Sequence, residues 1–162
     1  MIEPNYVIAA IWGVTLVAAA VSDMRSFRIS NVFPAILILL FITAYGLSGF
    51  SSALWQNLLH FLLALGVGMG LFGRGWIGGG DAKLYAAVAL WFGWTGAVTL
   101  IFLTGLAGAV LAIAFVAARM LGLRKNVPKE DRRIPYGVAI AAGAILSAAW
   151  AGWNAVFPPF SL

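Results

Sequence analysis

The chain has 162 residues, of which 63% are hydrophobic and only 9% charged, a composition far from that of soluble globular proteins and suited to lipid. It has no cysteine and one histidine, which excludes disulfides, thiolate zinc sites, cysteine nucleophiles and a histidine metal centre. A net charge of +5 would suit nucleic acid, but most of the basic residues lie in short stretches between apolar runs, where membrane topology explains them better. No nucleic acid, metal or cofactor is expected.

A bilayer core about 30 Å thick needs roughly 20 apolar helical residues, and that length divides the chain. The start, Met1 to Asn5, has no positive region, so the first apolar run reads as a retained span rather than a cleaved signal, with Glu3 outside. Runs over residues 6–21, 32–47, 53–72, 97–121 and 138–157 are span candidates, with a shorter one over 82–94. Residues 84–121 form one unbroken apolar stretch, too long for one crossing and short for two. Charge decides between these. With a turn at Gly93-Trp94-Thr95-Gly96, all ten Lys and Arg fall on one side. A single crossing would split them and contradict the positive-inside bias.

The expected architecture is therefore all-α: one integral membrane domain over residues 1–162, with six transmembrane helices and both termini periplasmic. Its fourth helix, about 12 residues long, would cover only about 18 Å. Local bilayer thinning, or burial against neighbouring helices, should accommodate it. The one sizeable polar loop, residues 124–133, reads as an exposed cytoplasmic connection suited to anionic lipid headgroups.

Among the five acidic residues, Glu130 and Asp131 belong to that loop and Glu3 to the outer terminus. Asp23, at the end of the first span, and Asp81, opening the fourth after Gly78, Gly79 and Gly80, both fall on the cytoplasmic edge. Ionisable groups at membrane depth are costly and so point to function. Each also has a plain structural reading: Asp23 as an interfacial carboxylate paired with Arg25 or Arg28, Asp81 as a helix N-cap. Three successive glycines favour chemistry at Asp81, because they let another backbone approach closely. An unwound substrate peptide at the membrane needs such pairing.

Gly78-x-Gly80-Asp81 opening a span, with an aspartate at the inner end of an earlier span, resembles the type IV prepilin peptidases, whose second motif continues as Asp81-Ala82-Lys83-Leu84. Asp23 followed by Ile29 and Asn31 is similar to that family's first motif, and Pro135-Tyr136-Gly137-Val138-Ala139-Ile140 to its third. Ser30 departs from the family, which usually has proline there. Larger members carry a cytoplasmic domain with paired cysteines and an N-methyltransferase activity. Neither that domain nor any cysteine is present, so the chain looks like the minimal form of the Flp (tight-adherence) pilus systems.

The resemblance implies an inner-membrane aspartyl endopeptidase that removes the short basic leader of a prepilin or pseudopilin. Its partners would be that substrate, membrane lipids and the pilus assembly machinery. Asp23 and Asp81 are the expected catalytic pair, and Gly78, Gly79, Gly80, Lys83, Ile29, Asn31, Pro135, Tyr136 and Gly137 the expected substrate-positioning residues. Two adjacent carboxyls share a proton, one activating water and the other donating to the scissile carbonyl. Asp81, at a positive helix N-terminus, is the expected base, and Asp23, at a negative C-terminus, the protonated partner. Lys83 or Arg74 would meet an acidic residue of the substrate, or simply snorkel to solvent. A proton-coupled transporter and a non-catalytic pilus assembly subunit remain as alternatives.

Other signals read as structural. Gly68 to Gly73 matches GxGxxG but lacks any surrounding βαβ unit. Gly66 and Gly70, and Gly105, Gly108 and Ala112, suggest close helix packing. His60, with Gln56 and Asn57 one turn before it, suggests a structural or interfacial role. Trp55, Trp94, Trp150, Trp153 and Phe157 fit an outer aromatic belt.

Overall fold

A computed structural model of the protein describes residues 4–48, 54–122 and 134–157. The expected polar loop 124–133 and Glu3 lie outside the described residues. The described residues are helical: α1 (Pro4–Ser26), α2 (Val32–Ser48), α3 (Leu54–Gly73), α4 (Gly79–Ala89), α5 (Trp94–Met120), α6 (Tyr136–Ala151) and a single turn α7 (Trp153–Val156). The chain is a membrane protein. Its segments Tyr6–Ser26, Leu54–Gly73 and Trp94–Met120 are long and apolar enough to cross a bilayer, while the helices Val32–Ser48 and Tyr136–Ala151 are apolar but shorter.

Helix α4 is 11 residues long, about 16 Å at 1.5 Å per residue. Of the two accommodations expected for so short an element, the structure displays burial. It packs against α2, α3 and α6, and Ala82, Leu84, Ala86, Ala87, Val88 and Ala89 are all buried. The alanines keep it thin enough for its neighbours to close around it. At Gly68 of α3 the approach is close: a Cβ there would sit 3.0 Å from the Ala82 Cβ. The close-packing glycine of α3 is thus Gly68, whereas Gly66 and Gly70 meet nothing within 4 Å. On α5, Gly105 likewise faces open space and Gly108 meets Ala139, while the tightest approach is made by Gly143 of α6 against Thr104.

The turn after α4 falls earlier than residues 93–96. The helix ends at Ala89, and Leu90, Trp91 and Phe92 turn while remaining buried; Trp94 already belongs to α5. Backbone that leaves a helix inside a membrane protein must find other partners, and α3 supplies them. Asn57 Nδ2 donates to the Leu90 carbonyl at 2.9 Å, and His60 Nδ1 lies 2.7 Å from the Phe92 carbonyl. Tyr45 donates to Asn57 Oδ1 at 3.3 Å, and Trp91 Nε1 to the Leu37 carbonyl at 3.2 Å. The structural reading of His60 therefore acquires a definite partner.

The last apolar run is not one helix. Gly152, with φ +83°, breaks it, and α7 folds back so that Val156 and Phe157 are buried. Phe157 packs edge-on to Trp12 with centroids 5.4 Å apart, and against Trp91 at 5.2 Å. It is a core residue rather than part of an aromatic belt, because the break at Gly152 turns it inward. Trp55, Trp94 and Trp150 are exposed, as a belt requires.

Candidate active site

Three helix ends meet at one end of the bundle: the end of α1, the start of α4 and the start of α6. Helix α1 runs past Asp23 and ends at Ser26, so Asp23 lies in its last turns rather than beyond it. Termination is local. Phe27 takes the left-handed conformation, φ 50°, uncommon for a bulky residue, with its N–H bonded to the Asp23 carbonyl at 2.8 Å. The Ser22 hydroxyl donates to the Arg28 carbonyl at 3.3 Å, and the Ser26 hydroxyl donates to the Ser22 carbonyl at 2.7 Å with the Arg28 carbonyl also 3.2 Å away, which secures the reversal.

Asp23 is 5% exposed, and the Gly137 N–H donates to its Oδ2 at 2.7 Å. That donor is one of the free N–H groups in the first turn of α6. A Cβ on residue 137 would lie 2.9 Å from Asp23 Oδ2 and 2.9 Å from Ile29 Cδ1, so only glycine admits this approach. Asp23 thus takes its bond from α6 backbone, while Arg25 and Arg28 are exposed.

Asp81 is half-buried in the first turn of α4. The Gly78 N–H donates to its Oδ2 at 3.2 Å, the carboxylate half of a capping box. Capping is therefore real for Asp81, and it engages one oxygen. The glycine faces are filled by the chain itself: Gly80 meets the backbone and Cβ of Ile29, with both O and Cβ 3.0 Å from the Cβ position, and Gly79 meets the Phe72 ring at 3.2 Å. The backbone that approaches Gly80 is that of residue 29 in the chain itself, in place of the expected substrate backbone.

Ile29 therefore touches both carboxyl-bearing junctions, its backbone on Gly80 and its side chain on Gly137. Two residues on, Asn31 Oδ1 accepts from Lys83 Nζ at 3.1 Å. Pro135 is buried and Tyr136 exposed at the head of α6. Asp23 and Asp81 lie within electrostatic range of each other, and no hydrogen bond joins them. The expected dipole contrast between them is weakened, since Asp23 is bonded to the N-terminal turn of α6 and both carboxyls face a helix N-terminus. Among the described residues, no group of three His, Cys, Asp or Glu side chains converges as a metal site would require.

Sequence reasoning missed a cleft of about 390 Å³ beside this junction, lined by Met24, Phe27, Leu111, Ala114, Phe115, Ala118 and Pro135. The spacing of 111, 114, 115 and 118 is a helical stripe, but in an apolar membrane chain every stripe is apolar.

Fold and site together define a helical membrane protein with two carboxyl groups gathered at one end of its bundle. Residues 10–113, well over half of the chain, match the type IV leader peptidase family. The chain belongs to that family, and so is a peptidase acting on prepilin-type substrates. Searches of curated proteins and of solved structures found no match.

Proposed function

We propose that the protein is an aspartyl endopeptidase whose catalytic carboxyls are Asp23 and Asp81, and that it removes the short basic leader of Flp-like prepilins or pseudopilins. It works in the bacterial inner membrane with six spans, both termini periplasmic and the dyad on the cytoplasmic side, where such a leader lies. The observation that carries this reading is the convergence of three stretches far apart in sequence. Asp23 is held by Gly137, Ile29 lies on both Gly80 and Gly137, and Asn31 accepts from Lys83 beside Asp81.

Two carboxyls within electrostatic range disfavour double ionisation, so one keeps a proton. The ionised member takes a proton from the attacking water while the other gives its proton to the scissile carbonyl oxygen; the first then passes the water's proton to the leaving amine, and the second recovers its own from the gem-diol as the bond breaks. Water adds to the carbonyl carbon and the C–N bond breaks, with no covalent enzyme intermediate. Hydrogen bonds from Gly137 and Gly78 orient one oxygen of each carboxyl and leave the other for substrate or water. The two carboxyls sit together at one end of the bundle, which favours a peptidase over a transporter that would carry them near the midplane.

The test is coexpression of a tagged prepilin with wild type, Asp23→Asn and Asp81→Asn, following substrate size. Each variant should lose cleavage by a factor of about 10² to 10⁴. Full cleavage by either would end the dyad proposal.

A further inference from the structure

The cleft beside the junction lies between elements that do not close on each other. Helices α1 and α5 both pack on α6, whose first residue is Tyr136. The α5–α6 pair is antiparallel, with Thr104 against Gly143 and Gly108 against Ala139. Continuing that register brings α5 to the head of α6 near Leu111, so its last turns, carrying Ala114, Phe115 and Ala118, run on past α6. They face Met24 and Phe27 at the end of α1, and Pro135 completes the wall.

The lining side chains are all apolar, yet the surroundings are cationic. Arg119 follows Phe115 by four residues and so continues the same face of α5; it is exposed, as are Arg25 and Arg28 next to the lining residues Met24 and Phe27. Arg25 and Arg119 stand in the last turns of their helices.

We propose that this cleft is a binding site for one anionic phospholipid, whose acyl chain lies against Phe27, Leu111, Phe115 and the two alanines while its phosphate meets Arg119 with Arg25 or Arg28. Charge selects the occupant. A basic leader peptide is repelled by this rim, and the chain's own residues 123–133, with two acidic and five basic side chains, are poorly matched to an apolar wall. An anionic lipid satisfies both the wall and the rim, with each arginine near the surface favouring it. Because Met24 adjoins Asp23 and Pro135 lies two residues before Gly137, a lipid seated there would brace both elements that hold Asp23.

The test does not depend on peptidase activity. The full chain is placed in nanodiscs of phosphatidylcholine containing a minority of phosphatidylglycerol, released into the gas phase and weighed with its retained lipid. One phosphatidylglycerol should be retained preferentially, by about five-fold for each arginine engaged. Arg119→Gln should reduce that preference, and Ala114→Trp with Ala118→Trp, which fill the cleft, should abolish it while the arginines remain. Retention of the two lipids in proportion to their abundance in the disc, or a preference unchanged by both variants, overturns the proposal. Those are the results expected if residues 123–133 or a substrate segment occupies the cleft instead.

Discussion

The two ends of α4 face opposite requirements, and comparing them explains why a helix of 11 residues is viable here. A helix leaves free N–H groups at its start and free carbonyls at its end. At the start, the chain answers with carboxylate: Asp81 takes the N–H of the N-cap Gly78, and nearby Asp23 takes the Gly137 N–H in the first turn of α6. At the end, it answers with side-chain donors from another helix, Asn57 and His60 on the carbonyls of Leu90 and Phe92. One end therefore concentrates carboxyl groups with lone pairs to spare, while the other is buried and lacks a carboxyl. Chemistry is possible at the first and stability is secured at the second.

This contrast is most directly tested by exchanging the readouts. Asp23→Asn and Asp81→Asn should cut cleavage by about 10² to 10⁴ and leave thermal unfolding in detergent nearly unchanged, since an amide oxygen still accepts from Gly137 or Gly78. The wild-type rate should be bell-shaped in pH. It falls in acid as the base is protonated and in alkali as the donor is lost; a rate flat through the carboxylate range would break the comparison at its functional end.

Next in size is Gly137→Ala. The added methyl would sit against Asp23 Oδ2 and Ile29 Cδ1, both at 2.9 Å, so either Asp23 swings away from its N–H or α6 withdraws. Cleavage should drop by about 10²-fold, the order expected when a catalytic group is misplaced by about 1 Å. Gly105→Ala, with nothing within 4 Å, is the matched control and should behave as wild type.

At the opposite end, Asn57→Leu and His60→Leu each leave a buried carbonyl without its donor. Each should lower unfolding stability by about 1–3 kcal/mol, measured by thermal melting in one detergent, while the remaining folded enzyme keeps the same pH profile. A shifted profile would mean that His60 is coupled to the dyad, and the division between the two ends of α4 would have to be abandoned.

Much of this division was legible in the sequence. Charge counting put Asp23 and Asp81 on one side, and the shortness of the fourth apolar run anticipated the buried helix. Its end was harder to place: Leu90, Trp91 and Phe92 are as apolar as the helix before them, so hydropathy has no dip there, and the turn exists only because Asn57 and His60 reach it from α3. Tertiary packing likewise decides that Asp23 belongs to the N-terminus of α6 and that Ile29 fills the face of Gly80. Helix-end arguments confined to one element could not see that Asp23 answers to two helices. The inward return of Phe157 follows from a positive φ at Gly152, which an apolar run that also holds the helical Gly143 does not announce.

The smallest expected effect discriminates between two roles for Lys83. Its Nζ donates to Asn31 Oδ1 at 3.1 Å on an exposed surface, a bond that ties the turn after α1 to α4. If that tie is its whole contribution, Lys83→Ala and Asn31→Ala remove the same interaction. Each should then cost about 1 kcal/mol or less, no more than about five-fold in cleavage, and the double variant should cost no more than either alone. If Lys83 instead meets an acidic residue of the substrate, its loss should exceed that of Asn31. The excess should appear in KM and shrink with added salt, as an exposed charge pair does, and it should vanish for a substrate whose acidic residue has been neutralised. Equal, non-additive losses would assign Lys83 to holding the junction together, and unequal ones to reading the substrate.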